Sequence, residues 1–417
     1  MIKLDIPSQD AKLWSLLDQG LVSASNFFIG ILLARGLGIE AFGLYVVGLS
    51  LLLYANTFLQ SLVVGQMMSI LPPVDKVRYK NFLVQGYFGY ALLISVVASI
   101  FVYILTFVID YFSESLNLQY LHLIIGVTVF GFMIQDWLRR YLYATSNPRA
   151  VFIIDIVAYG GQFLCLFVLF WNDQLSIERA FMVYFVTFFL TALLTVYFFK
   201  LQPNFRYSRR LFVKFWKINR DYLYTGQLNW FAGSGIILIG AGMIGAQAAA
   251  AIKAVQNLLG PIVVLFQWMD NVIIVKASLV FKESGYTGMT EYLKRIALFG
   301  SLGLMFFIVV LIFFSESLIV FIYGSEYRIF AYLIVFQGVY YLFLYLYKIG
   351  SFYYRVLEKI TILVISSFWC AFVSIAVAMV SVTSLHEAGL MLALISGVVT
   401  ALFVLLIKHN NFVKVQL

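Results

Sequence analysis

The chain has 417 residues, of which 63% are hydrophobic and 11% charged, against roughly a quarter charged in an ordinary soluble domain. Water is therefore not its main solvent, and a soluble enzyme or a nucleic-acid-binding fold is excluded despite a net charge of +9. The three histidines and two cysteines are scattered and build no metal-ligand cluster, so no metal or other cofactor is expected.

Apolar runs of about 20 residues recur along the whole length, each enough to cross a hydrocarbon core of about 30 Å as a helix. Helices satisfy their own backbone polar groups, which lipid cannot do. The pattern predicts an all-α polytopic membrane protein with twelve transmembrane helices, at about 13–34, 42–65, 82–109, 119–143, 151–171, 178–199, 222–243, 248–275, 296–315, 329–347, 360–383 and 388–407. The opening MIKLDIPSQDAK lacks the order of a cleavable signal, so the first span is expected to remain. With both termini cytoplasmic, 24 of the 28 Lys and Arg lie inside, and Arg35, Arg179 and Arg328 lie outside. That asymmetry fixes the predicted orientation, and anionic headgroups explain the basic loops without any nucleic acid.

In chain order, the first span carries Asp18, Gln19, Ser23 and Asn26, the last three spaced to share a face. Asn56 and Gln60 stand one turn apart in the second. Asp136, Arg139 and Arg140 end the fourth, with Asp136 and Arg140 spaced as a local i,i+4 ion pair. The connector KLQPNFRYSRRLFVKFWKINR places Leu211, Phe215 and Ile218 on one side and Arg209, Arg210, Lys214 and Lys217 elsewhere. That suits a helix lying on the inner membrane surface. It divides the chain into two six-helix lobes, 1–200 and 222–417, with a linker over 201–221. Sliding the chain by 207 residues lays Ile244 and Gly245 on Leu37 and Gly38, and Gln267 on Gln60, the layout of a transporter built from repeats.

The eighth span is the most informative. Lys253, Asn257, Gly260, Gln267 and Asn271 fall within about 40° of one helical line, with a kink expected at Pro261. Amides between helices are each worth about 0.6–2 kcal/mol as simple packing contacts. A charge near the bilayer centre instead costs about 2.5–3.5 kcal/mol, so Lys253 points to a hydrated cavity, with snorkelling to the outer interface as the plain alternative. Asp270 lies one turn from the inner end, where it is either a solvated helix end or an ion-coupling group. In the tenth span Tyr341, Tyr345 and Lys348 share a face. The two phenols suit either packing or contact with sugars.

The stretch LLARGLGIEAFGLY, Leu32 to Tyr45, resembles the opening hairpin of the polysaccharide exporter family, the Wzx-type flippases of lipid-linked oligosaccharides such as O-antigen units. Arg35, Gly36, Gly38, Phe42, Gly43 and Tyr45 carry the likeness. In span count, topology and basic linker it extends over essentially the whole chain. The family's superfamily also contains multidrug and toxin extruders and peptidoglycan lipid flippases. The resemblance implies a non-enzymatic transporter of the bacterial inner membrane, moving an undecaprenyl-diphosphate-linked oligosaccharide to the outer leaflet by alternating access. Membrane lipids and other polysaccharide assembly proteins are the further partners it implies.

On that basis the expected substrate contacts are Lys253, Asn257, Gln267, Asn271, Gln60, Asn56, Asn26, Arg35, Arg139, Arg140, Tyr341 and Tyr345, with Asp18 and Asp270 as candidate ion-coupling groups. Arg139 or Arg140 would meet the diphosphate, since guanidinium groups match phosphate oxygens, although a local structural role is the stronger expectation for both. A cation-coupled drug extruder is the alternative. It would be expected to hold carboxylates deep in one lobe, whereas those here read as lying near helix ends. A membrane glycosyltransferase or polymerase would need more chain outside the membrane than connectors of about 20 residues supply.

Overall fold

The computed structural model describes residues 9–72, 76–112, 116, 118 and 121–416. Among them the secondary structure is helical, with no strand. Among the described residues eight helices are long and apolar enough to cross a membrane, or nine if Phe205–Ala232 and Ser234–Ile244, bent by 44°, form one span. The chain is a multi-pass membrane protein with two compact units, Met1–Gln227 and Leu228–Leu417.

Unit 1 begins with α1 (Gln9–Leu37) and α2 (Ile39–Leu59), which runs through a π-helical turn, Gln60–Val64, into α3 (Gly65–Ile70). Then come α4 (Val77–Phe112), α5 (His122–Ala144), α6 (Pro148–Asp155), a second π-helical turn at Ile156–Gly160, α7 (Gly161–Trp171) and α8 (Ile177–Phe198). Local signals set the boundaries. Asn147 caps α6, accepting from the Ala150 amide, with Pro148 at the first turn. Ser176 caps α8 through the Arg179 amide.

Along α4 the faces separate as lipid requires. Ala91, Ser95, Ala98, Val102 and Thr106 are buried, while Leu93, Val97, Ile100, Ile104 and Phe107 are exposed. Small and hydroxylated residues pack inward, and large apolar ones face the hydrocarbon.

Helix α9 (Phe205–Ala232) contains the expected linker, but it is not a free surface helix. Ser208 Oγ donates to the Gly86 carbonyl at 2.8 Å and Asn219 Nδ2 to that of Leu62 at 3.1 Å. Leu211 is buried, whereas Ile218 is exposed. The docking side therefore runs through Ser208, Leu211 and Asn219, and Ile218 leaves the expected apolar face because backbone carbonyls of unit 1 recruit Asn219 instead. The division between units falls at Gln227, whose amide donates to Thr57 Oγ1 at 2.8 Å.

Unit 2 contains α10 (Ser234–Ile244), α11 (Ala246–Leu258), α12 (Gly260–Phe313), α13 (Ser315–Tyr323), α14 (Leu333–Val356) and α15 (Ile360–Gln416). Both α12 and α15 are two helices joined at one non-helical residue, Gly285 (φ 64°, ψ −157°) and His386 (φ 51°, ψ −128°).

Two of the turns between helices have the same backbone form. Gly38 between α1 and α2 has φ 78°, ψ 169°, and Gly245 between α10 and α11 has φ 99°, ψ 163°. This region is essentially reserved for glycine, so the pairing of these two residues by the 207-residue slide has a conformational cause.

Candidate functional site

Helix α5 presents two polar rows. Gln135, Arg139 and Tyr143, spaced by four residues, address α1 and α6, while Asp136 addresses Asn56 on α2 and Gln60 in the π-helical turn that follows it, and Arg140 pairs back with Asp136 on the same helix. In the first row Arg139 Nη2 lies 3.1 Å from Asp18 Oδ2 and Nε 2.5 Å from Asp155 Oδ2. Tyr143 Oη donates to Asp18 Oδ2 at 2.6 Å, and Gln135 Nε2 to Asp155 Oδ1 at 3.0 Å. The guanidinium also lies 5.5 Å from the Tyr159 ring centroid. In the second row Asp136 Oδ2 accepts from Gln60 Nε2 at 2.5 Å and Asn56 Nδ2 at 3.3 Å, and Oδ1 lies 3.7 Å from Arg140 Nε.

This cluster is buried. Asp18 is 1% exposed and Asp155 0%, while the Arg139 side chain is 12% exposed. Removing one partner of such a buried pair costs about 3–5 kcal/mol, because the remaining charge stays uncompensated. Three carboxylates here meet two guanidinium groups, one of them on the half-exposed Arg140. Both π-helical turns serve the cluster: Gln60 opens one, Asp155 immediately precedes the other, and Tyr159 lies within it. A π turn rotates the following residues relative to an α-helix and often marks a functional position.

In unit 2, Lys253 stands on α11 among Ala249, Ala250, Ala251, Ile252 and Ala254, all fully buried. Lys253 and Asn257 are half-buried. Among the described residues no carboxylate lies within ion-pair distance of Lys253, whereas Arg140 and Lys348 each have one and Arg139 has two. The expected single polar line down this span is broken. Leu259 (φ −90°, ψ 12°) separates α11 from α12, because Pro261 has no N–H to give the Asn257 carbonyl. Lys253 and Asn257 therefore belong to one helix and Gln267 and Asn271 to the next; the side chains of Gln267 and Asn271 lie outside the described residues.

Below the break, α12 and α14 pack through aromatic rings. Phe266 meets Tyr341 edge-on at 5.8 Å and stacks with Tyr345 at 6.4 Å. Tyr345 Oη donates to the Ile296 carbonyl at 2.8 Å, and both tyrosines are buried. The hydroxyl of Tyr345 is thus engaged within the helix packing. One turn further, Lys348 passes over the Phe266 ring at 5.7 Å and pairs with Asp270 Oδ2, while Arg355 Nη1 lies 3.6 Å from Asp270 Oδ1. Asp270 is therefore not a solvated helix end: two cations from α14 bracket it.

The expected residues thus fall into separate groups. Asp18, Asn56, Gln60, Arg139 and Arg140 come together in unit 1, and Arg139, expected at a diphosphate, is committed to two carboxylates. Lys253 and Asn257 share α11. Tyr341 and Tyr345 line the packing that leads to Asp270. Asn26 and Arg35 are exposed on α1, apart from these groups. Asp155, Gln135, Tyr143 and Tyr159 were not anticipated. Asp155 lies inside the predicted fifth span, so the rule that marks intramembrane charges was enough to find it.

No protein-family model and no curated protein matches the sequence. Solved structures do match in fold. An inward-facing multidrug resistance MATE family transporter of the MOP superfamily aligns over 96% of this chain and 99% of its own, with TM-score 0.79 and 11% identity. The fold is that of MOP superfamily transporters. The lipid II flippase MurJ, in an inward closed conformation, aligns over 95% of this chain and 87% of its own, with TM-score 0.74 and 12% identity. A MOP superfamily transporter from Pyrococcus furiosus, whose binding pocket of reverse polarity suggests a different function, gives TM-score 0.57 at 10% identity over 95% and 94%.

Proposed function

We propose that this MOP-fold protein is a flippase for an undecaprenyl-diphosphate-linked oligosaccharide, such as an O-antigen or other surface polysaccharide unit. It works by alternating access between two six-helix lobes, with twelve spans and both termini cytoplasmic, in the bacterial inner membrane. The single observation that supports the cargo's charge is Lys253: an ammonium on a helix walled by buried alanines, with no carboxylate in ion-pair reach among the described residues. Such a group in a membrane is stabilised by water, by an anion or by reaching an interface, and a lipid-linked diphosphate supplies the anion. Asn257 one turn along offers an amide to hydroxyls, and the resemblance of Leu32–Tyr45 to Wzx-type flippases supports the glycan.

A second reading is favoured by a specific observation. The carboxylates that looked peripheral in sequence gather inside unit 1, where Asp18, Asp136 and Asp155 are all buried. A cation-coupled extruder needs such a group of acids. Vesicles containing the purified protein separate the two readings. A flippase delivers a fluorescent lipid-linked oligosaccharide to the opposite leaflet; an extruder leaves it in place and moves a cationic dye when a proton or sodium gradient is imposed.

A further inference from the structure

We propose that Lys348 and Arg355 form an exchangeable anion site in unit 2, at which Asp270 holds the place of a phosphate group of the cargo. The identity of the cargo rests on the flippase reading; the exchange rests on the geometry of α12 and α14.

Lys348 and Arg355 are seven residues apart, two turns of one helix, so their side chains leave the same face. Each takes a different oxygen of Asp270, Lys348 at Oδ2 and Arg355 at Oδ1. Two cations straddling two oxygens is the arrangement that receives a phosphate, and the guanidinium adds planar donors suited to it. One carboxylate leaves one positive charge unmatched, and among the described residues no second carboxylate lies within ion-pair distance of either cation.

The site is also partly open, although Lys348 and the Oδ1 atom of Asp270 are largely covered. The Asp270 side chain is 37% exposed and that of Arg355 47%, so the carboxylate can turn into water when a more highly charged anion arrives. Lys348 is anchored differently, with its ammonium over the Phe266 ring, which holds the cation in place when its partner leaves. Phe266 and Asp270 are one turn apart on α12, so ring and carboxylate address the same lysine from one helix face. Asp270 then acts as a built-in competitor: it offsets the repulsion between the two cations when no cargo is bound and speeds release once cargo has moved. Without it the site would bind more tightly and turn over more slowly.

The experiment uses the full chain in lipid nanodiscs, with farnesyl diphosphate as probe and inorganic pyrophosphate and farnesol as competitors. If Asp270 occupies the site about nine-tenths of the time, Asp270→Asn tightens farnesyl diphosphate binding about tenfold, since apparent affinity scales with the open fraction. Lys348→Gln and Arg355→Gln each weaken it, and Lys348→Arg retains most of it, which separates loss of charge from loss of fold. Pyrophosphate competes and farnesol does not; tighter binding of farnesyl diphosphate than of pyrophosphate marks a lipid-borne phosphate, and the reverse order a free one. Unchanged or weaker binding in Asp270→Asn, with a melting temperature equal to wild type, overturns the proposal, as does equal competition by farnesol. Flipping of the lipid-linked oligosaccharide is measured in parallel. If flipping is absent while the order of affinities holds, the cargo assignment fails and the anion site stands; flipping without that order means the opposite.

Discussion

Each unit sets an arginine or lysine against an aromatic ring and a carboxylate, yet the two clusters differ in sign and in access to water. In unit 1 one guanidinium, over Tyr159, is shared by Asp18 and Asp155, which are 1% and 0% exposed. In unit 2 one carboxylate is shared by two cations, and it is 37% exposed. The same chemical pairing therefore has two uses. Sealed from water, it is a strut that joins α1, α5 and α6; half open, it is a contact that can be exchanged.

The contrast is broken most severely at Arg139. Arg139→Gln leaves two buried carboxylates without their cation and is expected to cost about 3–5 kcal/mol, read as a large fall in thermal unfolding temperature in detergent. A variant melting with wild type would remove the strut. Next is Gln60→Ala, which strips Asp136 of its closer amide donor and is expected to cost about 1–3 kcal/mol. A smaller effect is expected for Tyr345→Phe, whose hydroxyl makes one bond to the Ile296 carbonyl, worth about 0.6 kcal/mol in a membrane. Transport should survive that change; a large loss of transport at normal stability would return Tyr345 to the cargo contacts. A comparably small stability change belongs to Asp270→Asn, about 0–1 kcal/mol for a partly exposed pair, checked by the same melt.

Much of this was readable from the chain wherever the relevant partners are close in sequence. Hydropathy places α8 at 178–199 against the observed Ile177–Phe198, and i,i+4 spacing gives Asp136 with Arg140. Gly38 and Gly245 were paired by sliding the chain, and their shared left-handed backbone follows from the lack of a side chain. The charge clusters were not readable because they are made by helices far apart in sequence. Asp18 and Arg139 are separated by 121 residues, and Asp270 and Lys348 by 78. Spacing within one helix carries no information about such partners. From the sequence Asp270 therefore reads as either a solvated end or an ion-coupling group, and the structural role that is the stronger expectation for Arg139 has no partner beyond its own helix to name. In the eighth span the kink expected at Pro261 is present as a full break at Leu259, so the polar line through Lys253 and Asn271 runs over two helices rather than one.

The most direct measurement is delivery of a fluorescent lipid-linked oligosaccharide across vesicles that contain Lys253→Ala, compared with wild type and Lys253→Arg at equal protein content. Loss of delivery in the alanine variant, with part of it kept by arginine, is what a cationic contact for an anionic headgroup predicts. Equal delivery by all three proteins would contradict it.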